Sequence, residues 1–446
     1  MQREKKGKTL LERAILMIQG EEFKNKSKKS EKDFTRKRKI GFVPLVCLVL
    51  RMIRKSTQLE LDEFRERFMP ELAEKTSYTK QSFSEARQKL SPVAFTLLND
   101  EIVRGFYEDD DFKKFKGFRL LASDGSLIEV PNTLETQQTY GYISTHKDGV
   151  KAARALSSSL FDVENKILIS SCLSRYDDNE RSLAKRNIDN LLSFEGSSIP
   201  NLILFDRGYP SADFIKYLEE KGIKYVMRSH TSFYKEVVNT SMPDEQVQIE
   251  ITRERAYFLK RQGTPIKKGT LLGLRVLTVE LPTGEIEILL TNLNKDELSY
   301  EESKTLYFKR WGIETRFNEL KHKFEIENFS GEKPIIIEQD FYAAVFLSNI
   351  ASIFEQEAEA ELREKNKNKT LKYEEYRINK NILVGKLKNR LIEMILEEDN
   401  GKKDVLYKRF LKELQRNIVP VIPNRSYKRD KQTKCNRYAK SKRRSL

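Results

Sequence analysis

Three acids in this chain stand where their side chains could do chemistry together. Asp124 follows the apolar run Phe118-Arg-Leu-Leu-Ala-Ser123, Asp206 follows Asn201-Leu-Ile-Leu-Phe205, and Glu314 lies inside a stretch that reads as helix. Both aspartates are expected to emerge at the end of a strand, where open α/β sheets commonly place their sites. Carboxylates gathered in one place repel one another unless a cation stands among them. Such a trio can hold two divalent ions about 3.5–4 Å apart, one activating a nucleophile and one stabilising the leaving oxygen of a phosphodiester. The chain has 67 Asp and Glu, and any one of them taken alone reads as a solvated or capping carboxylate.

The surroundings of Glu314 add to the pattern. Tyr307, Arg310, Glu314 and Lys321 are separated by 3, 4 and 7 residues. At about 100° per residue they share a helix stripe about 60° wide. Ile313, Phe317, Leu320 and Phe324 form a neighbouring stripe that would dock on a core. An ordinary amphipathic helix with an Arg310–Glu314 pair has the same pattern, and periodicity does not separate the two readings.

The rest of the composition narrows the chemistry. There are only three histidines (His146, His230, His322) and three well-separated cysteines (Cys47, Cys172, Cys435). A zinc finger and a disulfide framework are therefore excluded. A divalent metal would be held by carboxylate oxygens, which points to magnesium or manganese. Cys172 reads as a buried hydrophobe. His146 reads equally as a surface polar residue and as a DNA contact.

The elements that must position these acids follow from periodicity. Residues 1–100 read as helices: Leu10, Leu11, Ala14, Ile15 and Ile18 recur at helical spacing, and Ser82-Phe-Ser-Glu85 matches a capping box. This block reads equally as a helix-turn-helix DNA-binding domain and as a plain helical module. From 115 to 228 strands and helices alternate, which implies a mixed α/β core. Ala155–Phe161 and Ile167–Leu173 read as a hairpin, Arg181–Leu192 and Ser211–Gly222 as helices, and Lys224–Met227 as a strand. Residues 229–295 read as a β-rich insertion with strands at Val247–Ile251, Ala256–Leu259, Leu271–Leu281 and Ile286–Asn292, and a hairpin turn at Pro282-Thr-Gly284. Ser299-x-x-Glu302 is a capping box that opens one long helix through about Phe324. The core resumes over 296–360, and a helical region over 361–424 closes the folded part.

The chain carries 83 Lys+Arg against 67 Asp+Glu, for a net charge of +16. The last 22 residues, Arg425–Leu446, hold ten Lys/Arg and a single acid, so more than half of that excess sits in a basic tail. The tail reads as a phosphate-neutralising arm or as a solubilising one. A second basic cluster runs from Lys24 to Lys39. The longest uncharged apolar run, Ile40–Leu50, has eleven residues, whereas a bilayer span needs roughly 20. No membrane span or secretory signal is expected, and the chain reads as soluble and cytoplasmic.

Tyr307-x2-Arg310-x3-Glu314-x6-Lys321 resembles the Y-R-E-K signature of a large family of bacterial insertion-sequence transposases with a DDE triad. Asp124-Gly125-Ser126 resembles the family's first catalytic motif and Asp206-Arg-Gly-Tyr-Pro-Ser211 its second. Glu180-Arg181 and the basic tail fit as well, so the resemblance spans about residue 80 to the C-terminus. It implies an α/β fold: an RNase H-like mixed sheet interrupted by a β-rich insertion, with helical N- and C-terminal regions. It implies that Asp124, Asp206 and Glu314 hold two Mg²⁺, with Mn²⁺ as a substitute. Tyr307, Arg310 and Lys321 would then position transposon-end phosphates, and Arg207 would neutralise phosphate or pair with a carboxylate.

The implied partners are double-stranded DNA, namely terminal inverted repeats and target, and a second copy in a homodimeric nucleoprotein complex. The implied location is the bacterial nucleoid. Some members stack a Trp of the insertion on a flipped base; here the single Trp, Trp311, lies in the signature helix, and the insertion offers Phe233, Tyr234, Tyr257 and Phe258. A metal-dependent nuclease on the same fold, or a repurposed non-catalytic DNA-binding protein, would share the motifs.

Overall fold

The computed structural model describes residues 6–422, apart from 37, 75–76, 145–148, 150, 195–198, 232 and 281–283. The basic tail, His146 and most of the turn at Pro282 lie outside the described residues. Among the described residues nine strands form one sheet: β1 (Arg119–Glu129), β2 (Tyr142–Ser144), β3 (Lys151–Asp162), β4 (Ile167–Arg175), β5 (Asn201–Phe205), β6 (Lys224–Arg228), β7 (Asp244–Glu250), β8 (Leu271–Glu280) and β9 (Ile286–Thr291).

Its central order is β4-β3-β1-β5-β6. β4, β3 and β1 are antiparallel neighbours, whereas β1, β5 and β6 run parallel. This is the mixed sheet expected of the α/β core. β5 explains the parallel half: all five of its residues are buried, as expected of a strand covered on both faces. The β3–β4 turn is fixed by Asp162, whose carboxylate accepts the Glu164 and Asn165 amides at 3.0 and 2.9 Å.

The segment after β6 extends this sheet. β9 pairs antiparallel with β6, and β8 and β7 follow outward. One part of the β-rich expectation needs correction. Ala256–Leu259 is not a strand; it lies in a helix, Arg253–Arg261, capped by the Thr252 hydroxyl accepting the Arg255 amide. Apolar residues at 256, 258 and 259 mimic a strand, but the cap fixes a helix start. Tyr257 and Phe258 are exposed on it.

The N-terminal helices share the core of the sheet layer. The helix Val93–Tyr107 packs on the long helix Pro334–Asn366 and on β4, and Phe42–Leu50 packs on the same long helix. Asn349 pins that helix to β4: its amide donates to the Leu168 carbonyl and its oxygen accepts the Leu168 amide, both at 2.8 Å. The cap expected at Ser82 falls three residues earlier. Thr79 is the N-cap of Lys80–Arg87, and Ser82 supplies the reciprocal bond, so Glu85 plays no part in the box. Arg87, 1% exposed, then ties this helix to the long one through Asp340 at 2.8 Å and Gln339 at 2.8 Å. Among the described residues no helix is long and apolar enough to cross a membrane.

Candidate active site

Strand register brings the first two acids together. β1 and β5 pair from Arg119↔Asn201 to Ser123↔Phe205. The next residues along the chain are Asp124 and Asp206. The two carboxylates therefore leave neighbouring strands at the same level, at the point where the sheet changes from antiparallel to parallel connections. Asp206 lies just past the end of β5, as its sequence suggests. Asp124 does not end a strand: β1 continues through it to Glu129, because β3 keeps pairing with it (Asp124↔Ser159) after β5 has stopped.

Both aspartates are braced by short loops or their own backbone. The Asp124 carboxylate accepts the Gly125 amide at 2.8 Å. Asp206 accepts the Gly208 amide at 2.7 Å. A Cβ on Gly208 would sit 3.1 Å from that carboxylate oxygen, so a larger residue would crowd it. Arg207, between them in the loop, is exposed.

Glu314 arrives on a helix that is shorter than its sequence implies. The Ser299/Glu302 capping box forms, but the helix it opens ends at Phe308, and a second one runs from Trp311 to His322. The junction closes with tight bonds three residues apart: Arg310 N–H to the Tyr307 carbonyl at 3.0 Å and Ile313 N–H to the Arg310 carbonyl at 3.1 Å. Gly312, at the start of the second helix, lies against Val163 of the β3–β4 turn, where a Cβ would meet the Val163 side chain at 3.4 Å. The uniform stripe from Tyr307 to Lys321 therefore does not carry across residues 309–310.

Tyr307, Arg310 and Lys321 nevertheless each reach β1, β5 or the acids on them. The Arg310 guanidinium donates to Glu314 at 2.8 Å and lies 3.9 Å from Asp124. The half-buried Trp311 ring supports it from 5.1 Å. Tyr307 is buried and donates its hydroxyl to the carbonyl of Phe205, the residue before Asp206, at 3.2 Å. Lys321 donates to the Leu127 carbonyl of β1 at 2.7 Å. Cys172 is buried in β4.

The electrostatics follow first from burial and then from crowding of like charge. Burial pushes the Asp124 carboxyl up to about 7; its bond from Gly125 and the charge of Arg310 oppose the rise, and Asp206 and Glu314 add to it. Burial and the Asp206 charge also raise Glu180. Glu180 is a further acidic neighbour of the two aspartates. It opens the helix Glu180–Leu192 and lies over Gly125, where a Cβ would come within 2.9 Å of its carboxylate. The legible signal was the glycine directly after Asp124. Tyr209, fully buried, has its hydroxyl held well above its usual range by burial and by the Asp124 and Glu180 charges.

Among the described residues no three His, Cys, Asp or Glu side chains converge closely enough to hold an ion as they stand. Each acid of the trio is engaged by a donor of the chain itself: Asp124 by Gly125 and Arg310, Asp206 by Gly208, Glu314 by Arg310. The donor set still fits a hard divalent cation in kind. It consists of carboxylate oxygens, with the Arg310 guanidinium beside them as a counter-charge and not as a ligand, and hard oxygen donors are what magnesium and manganese take.

Residues 116–350, more than half of the chain, match the family model described as the transposase DDE domain. No curated protein matches the chain in sequence. Among solved structures the chain is similar to a piggyBac transposase in a synaptic complex with hairpin DNA. The identity is 13% over 93% of this chain and 84% of that one, with a TM-score of 0.43. It is also similar to the Mos1 mariner paired-end complex with Mn, at 15% identity over 48% of this chain and 65% of that one, with a TM-score of 0.18.

Proposed function

The chain belongs to the transposase DDE domain family, and from that premise we propose that it mobilises a bacterial insertion sequence by cutting DNA at the terminal inverted repeats and joining the freed 3′-OH ends to target DNA. The observation that carries the reading is the β1–β5 register, which sets Asp124 and Asp206 side by side, with Glu314 reaching the same place from the helix Trp311–His322.

In this reading Asp124, Asp206 and Glu314 are the carboxylates that hold divalent metal, Mg²⁺ with Mn²⁺ as a substitute. When bound, the metal supplies charge that activates the attacking oxygen and stabilises the departing one. Metal would replace the bonds that Arg310 and the two glycine amides now make to the acids. Arg310, released from Glu314, and the exposed Arg207 are then free to meet phosphate oxygens, where a guanidinium can bond bidentately. Two displacements follow. Water attacks phosphorus at the element's end, the P–O3′ bond breaks, and a 3′-OH and a 5′-phosphate result. The 3′-OH next attacks a target phosphorus, and the target's own 3′-oxygen leaves. Two ends must be handled together, so a homodimer on two DNA ends is the proposed assembly. The net charge of +16 suits such a partner.

Strand joining separates this reading from a nuclease on the same fold. A pre-cut terminal repeat with a free 3′-OH is expected to become covalently joined to plasmid DNA in Mg²⁺ or Mn²⁺. Nicked plasmid without joined product would leave the nuclease.

A further inference from the structure

The strands that carry the two aspartates are tied through main-chain atoms to two successive helices, β5 to Tyr300–Phe308 and β1 to Trp311–His322. Pairing between β1 and β5 ends at Ser123↔Phe205. Beyond that point Asp124–Glu129 of β1 is paired with β3 alone. Besides the Gly125 amide, which bonds to Asp124, two main-chain groups of this stretch are taken by side chains from beyond the sheet. Lys321 donates to the Leu127 carbonyl at 2.7 Å, and Glu327 accepts the Glu129 amide at 3.0 Å. Lys321 and Glu327 are themselves 3.8 Å apart. Residues 127 and 129 share one edge of the strand, so the pair acts as a substitute for a missing strand neighbour.

On the β5 side Tyr307, 5% exposed, donates to the Phe205 carbonyl at 3.2 Å. Phe205 is the last residue of β5, directly before Asp206. A phenol buried to this degree, with its one proton committed to a carbonyl, has nothing left to offer a phosphate. Arg310 lies between the two, on Glu314 and near Asp124.

We propose that Tyr307 and Lys321 are positioning residues. They fix the main chain of both strands and so hold Asp124 and Asp206 at a set spacing before DNA arrives. This rests on the reading in which those acids hold a divalent cation. The role is distinct from phosphate contact, because it operates without DNA and through the Phe205 and Leu127 carbonyl oxygens. It also accounts for two different donor types at the two positions: each has only to reach one carbonyl.

The test is Mn²⁺ affinity of the full chain without DNA, followed by the electron paramagnetic signal of free Mn²⁺. Tyr307→Phe and Lys321→Met are each expected to weaken Mn²⁺ binding about tenfold or more, the usual cost of losing a group that orients a ligand. Lys321→Arg, which keeps a donor, is expected to recover most of it. The salt dependence of DNA binding is expected to stay unchanged in all three. Wild-type Mn²⁺ affinity in Tyr307→Phe and Lys321→Met would overturn the proposal and leave the cation reading intact. So would a salt slope lowered by about 0.9 in Lys321→Met, which marks a phosphate contact. If the unsubstituted protein binds no Mn²⁺, or Asp206→Asn binds it equally well, the cation reading falls and takes the proposal with it.

Discussion

Asp206→Asn is expected to reduce cleavage of transposon-end DNA by roughly 10³-fold or more, the size of loss seen when one member of a catalytic unit is removed. Binding of the same DNA is expected to be unchanged. The two readouts separate because Asp206 lies just past the end of β5 and, among the described residues, its carboxylate is hydrogen-bonded to the Gly208 amide of its own loop. Asparagine keeps an oxygen for that bond, so the loop survives while the charge is lost. Removing one acid also relieves repulsion on Asp124, so the variant should fold at least as stably as the parent. Cleavage at the parental rate would remove Asp206 from the site. Loss of DNA binding along with cleavage would show that its role is in holding the loop.

The second large effect is a dependence on pH whose sign reverses with metal. Asp124 has a carboxyl raised on folding to about 7, from burial first and then from Asp206 and Glu314. A raised acid holds its proton more tightly folded than unfolded. Its contribution to stability is therefore present below about pH 4 and is lost as pH rises towards 7, at about 1.4 kcal/mol per pH unit. Asp100 and Asp162 are also raised, each to about 6. The informative quantity is thus the difference between the parent and Asp124→Asn.

Without divalent metal, Asp124→Asn is expected to raise the thermal midpoint at pH 8, by an amount equivalent to as much as about 4 kcal/mol, and to change it little at pH 4. With Mn²⁺ the parent should gain stability at pH 8 and far less at pH 5, since the ion binds the ionised carboxylate. Asp124→Asn should lose most of that gain. Equal Mn²⁺ stabilisation at the two pH values would contradict the assignment of Asp124 as a ligand.

These expectations rest on features that differ in how openly the sequence displays them. Asn201–Phe205 is an unbroken apolar run that ends at an acid, and it folds as a buried strand with Asp206 just beyond it. The mixed α/β core with helical ends was equally open to reading, because strand and helix periods alternate cleanly from 119 to 228. Asp124 was harder. Asp-Gly-Ser looks like the end of a strand, and the continuation of β1 is imposed by pairing with β3, which is a tertiary effect. Ala256–Leu259 reads as a strand because apolar side chains cluster there within a β-rich stretch, whereas Thr252 caps a helix over Arg253–Arg261.

The break at Lys309–Arg310 carries no proline, and Gly312 is a weak cue until its contact with Val163 is known. The inward bonds of Tyr307 and Lys321 were hidden for a related reason. A helical stripe says which residues share a side, and says nothing of whether that side meets solvent, DNA or a neighbouring strand's carbonyls. Glu180, some 55 residues from Gly125, reaches it only through the packing of its helix on β1, β3 and β4.

The most direct measurement is to map strand breaks at nucleotide resolution on DNA carrying the gene with its own flanks, after incubation with the purified full chain and Mg²⁺ or Mn²⁺. The account predicts discrete metal-dependent cuts at the two terminal inverted repeats, each leaving a free 3′-OH on the element. Breaks scattered without regard to those ends, or intact DNA with the protein bound to it, would contradict it.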